Sequence, residues 1–223
     1  MRRIQAPFPG RLAVIGGQCR KVGKSSLVVD LIQAFPDWHW TAVKITPYTN
    51  AGCPVNGANC GCGTNEHTFA LREEKERNGK TDTGRYLEAG AERALWVQTK
   101  KGRLADALAD LAEALAQSEN VIIESDAIIG YWRPDLFLMV LDPRKADFKS
   151  SARRVLPFVD AFVLRSPSRA RDAVIGGTAT RNGKRKFLQP LGYDLPGTMQ
   201  TFVRQHFRGR RHLKAGDTGS LFS

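Results

Sequence analysis

The residues best suited to chemistry lie near the N-terminus, in Gly16-Gly17-Gln18-Cys19-Arg20-Lys21-Val22-Gly23-Lys24-Ser25-Ser26. Glycines followed by Gly-Lys-Ser are what a polyphosphate requires. Successive backbone N–H groups converge on the anion, and the positive end of the following helix faces it. Lys24 can set a point charge on the β- and γ-phosphates, and the Ser25 hydroxyl can hold Mg²⁺. Gly17, Lys21, Val22, Gly23 and Ser26 complete the expected nucleotide contacts. In the commoner Gly-x4-Gly-Lys-Ser/Thr spacing the first glycine would stand at position 18, which here is Gln18. An ordinary strand-to-helix turn is the bland alternative, but the flanking strand and helix patterns favour nucleotide.

Three further groups fall where strand ends or their loops should reach the phosphate loop. Lys44 closes the run 38–45 and can meet a phosphate or a substrate carboxylate; otherwise it is a snorkelling surface lysine. Glu124 ends Val121-Ile122-Ile123, where an acid is costly unless paired or near a metal. That is the place of a carboxylate that orients Mg²⁺ or water, with Asp126 the second choice. Asp82 precedes Thr83-Gly84-Arg85 and either caps a helix or points back toward Ser25. The expected catalytic residues are Lys24, Glu124 and Asp82, with Ser25, Asp82 and Glu124 on Mg²⁺. A separate cluster, Cys53, Cys60 and Cys62 with His67 five residues on, suits zinc or an iron–sulfur cluster. Cys19 is expected to pack within the phosphate loop.

The elements that must position these groups alternate along the chain. Strands are expected at 12–15, 38–45, 120–124, 136–141 and 161–164. Helices are expected at 26–32, 68–77, 85–98, 104–116 and 145–155, the fourth with Leu104, Leu108, Leu111 and Leu115 on one face. Residues 46–67, rich in Pro, Gly, Asn and Cys, read as a long loop. This pattern predicts a three-layer α/β fold of the P-loop NTPase kind, with a mainly parallel sheet and ligands at the carboxyl ends of its strands. Residues 1–164 make the nucleotide-binding domain with the Cys-rich insertion at 46–67, and 165–223 a basic C-terminal extension.

Of the net charge of +12, residues 165–223 supply nine, with twelve Lys/Arg against three acids. Such a tail suits an anionic partner. No apolar run approaches the roughly 20 residues of a membrane span, and the apolar stretch after Met1-Arg2-Arg3 is too short for a signal peptide. A cytoplasmic protein without a membrane partner is expected. Its expected partners are nucleotide, a small anionic substrate and a second copy of the chain as a homodimer. Nucleic acid ranks last, because the tail has few aromatics (Phe187, Tyr193, Phe202, Phe207).

Asp82-Thr83-Gly84-Arg85, followed by Ala89-Gly90-Ala91, resembles the D-[ST]-x-R-x-x-x-A-G-A segment of the molybdopterin-guanine dinucleotide biosynthesis protein B family. The order of phosphate loop, lysine, this segment and a strand ending in glutamate is similar too, over roughly residues 10–165. More weakly, Gly17-x5-Gly23-Lys24-Ser25 and Lys44-x-x-Pro47 resemble dethiobiotin synthetase. The resemblance implies Mg²⁺-dependent ATP or GTP binding, with hydrolysis or phosphoryl transfer in cofactor biosynthesis. The alternatives are an NTPase chaperone that handles a metal or cluster through the cysteine loop, and a nucleic-acid-binding NTPase that uses the tail.

Overall fold

Arg11–Gly17 and Asn120–Glu124 are apolar runs buried almost throughout, and this marks them as interior strands of a sheet covered on both faces. The structure of the chain is a computed structural model that describes residues 6–8, 10–48, 67–166, 174–175, 178–179 and 183–208. The strands are β1 (Ala6–Pro7), β2 (Arg11–Gly17), β3 (Trp40–Tyr48), β4 (Phe69–Glu73), β5 (Arg93–Lys100), β6 (Asn120–Glu124), β7 (Trp132–Arg133), β8 (Leu136–Leu141), β9 (Ala161–Leu164), β10 (Val174–Ile175), β11 (Thr178–Ala179) and β12 (Arg185–Leu188). The α-helices are α1 (Lys24–Ala34), α2 (Asp82–Glu88), α3 (Leu108–Ala114), α4 (Ser150–Val155) and α5 (Gly197–Arg208).

Eight strands form one sheet in the order β12-β9-β8-β2-β6-β3-β5-β4. All neighbours in it are parallel except the edge pair β4–β5. One face carries α1, α2 and α5 over a core that includes Ile15, Leu31, Trp40, Tyr86 and Met199. The other carries α3, α4 and the 3-10 turn Leu104–Ala107 over Val14, Val43, Leu111 and Phe137. The fold is therefore the expected three-layer α/β arrangement. The phosphate-loop strand β2 lies between β8 and β6, in the middle of the sheet.

Several elements differ from expectation. Residues 68–77 are not a helix: Phe69–Glu73 is the antiparallel edge strand β4. The helix expected at 85–98 starts at Asp82 and stops at Glu88, where Gly90 N–H bonds the Leu87 carbonyl and Ala91 N–H that of Tyr86. This paired turn ends a helix by satisfying its last carbonyls, and the chain then enters β5. With β5 present, β3 gains a partner for Ile45 to Tyr48 and runs past Lys44, which sits inside the strand. Residues 104–116 divide into the 3-10 turn and α3, and of 145–155 only Ser150–Val155 is α-helical. Beyond residue 164, β12 pairs with β9, and α5 buries Met199, Phe202, Val203 and Phe207 in the same core as α1. Arg185 and Arg204 lie over the rings of Phe202 and Phe35. Among the described residues, no helix is long and apolar enough to cross a membrane.

Candidate functional site

β2 delivers the chain to a turn at residues 18–23, and α1 begins at Lys24. Gly23 precedes the helix with φ 94°, a left-handed conformation that suits glycine. At Gly17 a Cβ would lie 2.7 Å from Val22 Cγ1 and 2.9 Å from Lys24 Cγ, so only glycine allows the loop to fold back on itself. Val22 is buried, and so is Cys19, as expected. Lys21 has φ 53° and is exposed. Apart from the turn at residues 20–21, the N–H groups of 19–26 make no backbone hydrogen bond among the described residues. A row of such donors at the start of an eleven-residue helix is the arrangement that grips a polyphosphate.

Gln18, at the usual glycine position, does a different job. It is fully buried; its Oε1 accepts from Asp142 N–H at 2.7 Å, and its Nε2 donates to the carbonyls of Lys145 (3.0 Å) and Asp147 (3.2 Å). Its own carbonyl accepts from Lys149 N–H at 2.9 Å, and Lys145 Nζ donates to the Lys21 carbonyl at 2.7 Å. The glutamine thus straps residues 142–149 onto the phosphate loop.

Strand register brings the remaining groups alongside. Glu124 stands beside Ile15 on one neighbour and Lys44 on the other, and Lys44 stands beside Trp96. Ser25 Oγ donates to Glu124 Oε2 at 2.7 Å, and Lys24 Nζ lies 3.8 Å from Glu124 Oε1. Lys44 Nζ reaches Asp82 Oδ2 at 2.5 Å, Glu124 Oε2 at 3.1 Å and Ser25 Oγ at 3.3 Å. Asp82 does not cap α2. Thr81 does, accepting from Gly84 N–H at 2.9 Å, which leaves the aspartate side chain for Lys44 and, at 3.5 Å, Arg85. The Tyr86 hydroxyl donates to Glu124 Oε2. Asp126 accepts from Ser151 Oγ at 3.4 Å and stands near enough to Lys24 for its charge to oppose the effect of burial there.

Burial shapes the charges. It pulls the Lys24 pKa below the usual lysine value, and Glu124 offsets this only in part. Burial acts on Lys44 too, but Glu124 and Asp82 outweigh it and its pKa lies above the usual value. Burial alone would raise Asp82; the hydrogen bond and charge of Lys44 bring it below the ordinary carboxyl value. Tyr86, desolvated and facing Glu124, is pushed well above the ordinary phenol value.

Mg²⁺, the ion a phosphate loop implies, fits this donor set. One ammonium, that of Lys44, is within hydrogen-bond distance of Ser25 Oγ, Asp82 Oδ2 and Glu124 Oε2 together. Those are hard oxygen donors of the kind a small divalent cation prefers. For zinc or an iron–sulfur cluster, Cys53, Cys60 and Cys62 lie outside the described residues. His67 is described; its backbone carbonyl accepts from the Tyr48 hydroxyl at 2.7 Å. Among the described residues, no group of three or more His, Cys, Asp or Glu could hold a metal ion.

Two residues join the site unannounced by the sequence. Tyr86 lies within the run 82–91 and carries no signal of its own. Arg165, at the end of β9, is buried and donates through Nη2 to the Gly23 carbonyl at 2.8 Å and through Nη1 to the Gln189 carbonyl at 3.0 Å. Arg165 signals itself only as a basic residue closing an apolar strand.

Comparison with known proteins adds little to this geometry. No family model matches the chain, and no curated protein matches it either. Among solved structures, it is similar to the "apo" form of LpxK from Aquifex aeolicus in complex with ATP, with 15% identity and a TM-score of 0.49. The match covers 82% of this chain and 55% of that one, so the chain spans about half the length of that structure. A likeness at this level assigns no activity.

Proposed function

We propose that the chain binds a nucleoside triphosphate, ATP or GTP, with Mg²⁺ and transfers its γ-phosphoryl group to a small anionic acceptor. The observation that carries this reading is the meeting of Lys24, Ser25, Lys44, Asp82 and Glu124 beside a loop of N–H donors. The N–H groups of residues 19–26 hold the phosphate oxygens, and Lys24 places its charge among them. Ser25 and Glu124, with Asp82 beside them, would hold Mg²⁺, which when bound would neutralise phosphate charge. Lys44 keeps its pair with Asp82 and meets the transferring group, and Asp82, held ionised by Lys44 and Arg85, faces the acceptor. Positioning and charge neutralisation supply most of the rate in such reactions, so few side chains are needed.

A role in molybdopterin-guanine dinucleotide assembly rests on a resemblance whose most specific piece is residues 82–91. Much of that run has a structural task here: Gly84 N–H meets the Thr81 cap, and Gly90 and Ala91 close the helix. The direct test of the proposed function is calorimetric titration of ATP and of GTP with and without Mg²⁺. Micromolar, Mg²⁺-dependent binding of either is expected; binding of neither would overturn it.

A further inference from the structure

A cleft of about 440 Å³ opens beside Lys44 and Asp82, bounded by the turn before α2, the first turn of α2, and Trp96 of β5. Its lining groups differ in how they are engaged. The hydroxyls of Thr81 and Thr83 both donate to Glu74 Oε2, at 2.8 and 3.0 Å, so they belong to the wall. Trp96 is half-buried, and its indole N–H donates to Thr46 Oγ1 at 3.2 Å, which fixes the ring in place. Lys80 is exposed, and its ammonium has no acceptor among the described residues. Among the described residues, Arg85 makes one hydrogen bond, of 3.5 Å with Asp82, and its charge is also felt by Asp30. At the inner end stands the Asp82 carboxylate, 2.5 Å from Lys44 Nζ.

A fixed indole wall, two cations with spare donors and one ionised carboxylate make a specific demand on a ligand. The wall suits a flat, weakly polar body, the cations suit a carboxylate or a phosphate, and Asp82 suits a hydroxyl. The cleft is open to solvent on one side and has room for a small molecule. We propose that this cleft is the acceptor site. It takes a small molecule that joins a planar ring to an acidic group, carboxylate or phosphate, and presents a hydroxyl to Asp82. The chemistry rests on the phosphotransfer reading above; the binding does not. In the transfer, the acceptor oxygen forms a bond to the γ-phosphorus and the bond from that phosphorus to the β,γ-bridging oxygen breaks. The hydroxyl, oriented by a hydrogen bond to Asp82, releases its proton to solvent, and the nucleoside diphosphate departs with the bridging oxygen.

The test uses the full chain carrying Lys24→Ala, so that a probe phosphate is not held by the phosphate loop. The indole ¹⁵N–¹H signals of the four tryptophans are recorded, with Trp96 assigned from Trp96→Phe. Phenyl phosphate and benzoate are titrated in separate arms, with benzyl alcohol and inorganic phosphate as the ring-only and acid-only controls. Saturable movement of the Trp96 signal by either acid is expected, at least tenfold weaker with each control, and the tighter acid identifies the acidic group. Lys80→Gln with Arg85→Gln should weaken it at least tenfold while the rest of the spectrum stays dispersed. An unmoved Trp96 signal, an unchanged affinity in the double variant, or inorganic phosphate binding as tightly as phenyl phosphate would overturn the proposal. If the wild-type chain binds no triphosphate while phenyl phosphate still moves Trp96, the phosphotransfer reading falls and the cleft remains.

Discussion

The two flanks of the phosphate loop are built on opposite plans. On the β6–β3–α2 flank the polar groups hold one another: Ser25, Lys44 and Tyr86 all converge on Glu124 Oε2, and Lys44 also pairs with Asp82. On the β9–β12 flank, buried Arg165 bridges the Gly23 and Gln189 carbonyls, yet its Nε–H has no acceptor among the described residues. Exposed Leu191 approaches the same glycine, its Cδ2 3.2 Å from where a Gly23 Cβ would stand. On the proposed reading, the first flank is a closed network that phosphate and Mg²⁺ would have to rearrange, whereas the second is held by the hydrogen bonds of Arg165. Changes on the first should therefore appear in turnover and its metal dependence, and changes on the second in affinity.

The largest effect is expected from the residue between the flanks. Lys24→Ala should lower nucleotide affinity at least about 100-fold, because it removes the charge at the centre of the loop. It should not lower the thermal midpoint of the free protein. Burial already penalises the charged Lys24, and Glu124 keeps Lys44, Ser25 and Tyr86 as partners. Calorimetry and thermal unfolding on the same sample check both halves. Glu124→Gln comes next. Turnover should fall roughly 100-fold, the scale of losing one group that stabilises transition-state charge, with affinity changed far less. Steady-state kinetics would sink the proposed role if the Michaelis constant moved and turnover did not.

How much of this contrast is legible in the sequence follows from where the residues stand. Lys24 and Ser25 carry a local motif, and Glu124 is an acid ending an apolar run, so one-dimensional pattern exposes them. Lys44 is legible as a polar group near a run end, although it proves to lie within its strand, and Asp82 as an acid at an expected helix start. The strand register that sets Glu124, Lys44 and Trp96 side by side is not legible. It depends on β5, and Arg93-Ala94-Leu95-Trp96-Val97 lacks a clean alternation and directly follows a helix. The misreading of 68–77 has the same origin, since β4 is a strand only because β5 offers it an edge. Gln18 shows in the sequence only as a deviation from spacing; its buried strap needs residues more than a hundred positions away.

The closed flank also makes a prediction in pH. Asp82 has its pKa below the ordinary value, because Lys44 outweighs the opposing effect of burial. A carboxyl lowered in the folded state stabilises it above the unfolded pKa, and that stabilisation is lost as pH falls through the folded value. Asp82→Asn should therefore cost about 1 kcal/mol near neutrality, a modest figure because its side chain is 34% exposed and solvent screens the pair. The difference from wild type should vanish in acid. Thermal unfolding of both proteins from pH 2 to 7 tests this, and a gap that persists at the acid end would place the stabilisation elsewhere.

The open flank gives the smallest but sharpest test of the comparison. Arg165 is a buried cation whose pKa is drawn below the usual arginine value by desolvation and only partly restored by Asp30, 3.5 Å away. Arg165→Lys keeps a charge but cannot span two carbonyls from one planar group, so either the Gly23 or the Gln189 carbonyl loses its donor. The Gly23 carbonyl also accepts from Leu27 N–H at 3.1 Å, the first bond of α1, so loosening it disturbs the helix start that aims the loop donors. The expected result is a nucleotide affinity weakened about fivefold, near 1 kcal/mol and so within the range of one hydrogen bond. Turnover at saturation should be unchanged, because Lys44, Asp82 and Glu124 lie on the other flank. A fall in turnover with intact affinity would show that the flanks are coupled through Gly23, and the division between a rearranging side and one held by Arg165 would not hold.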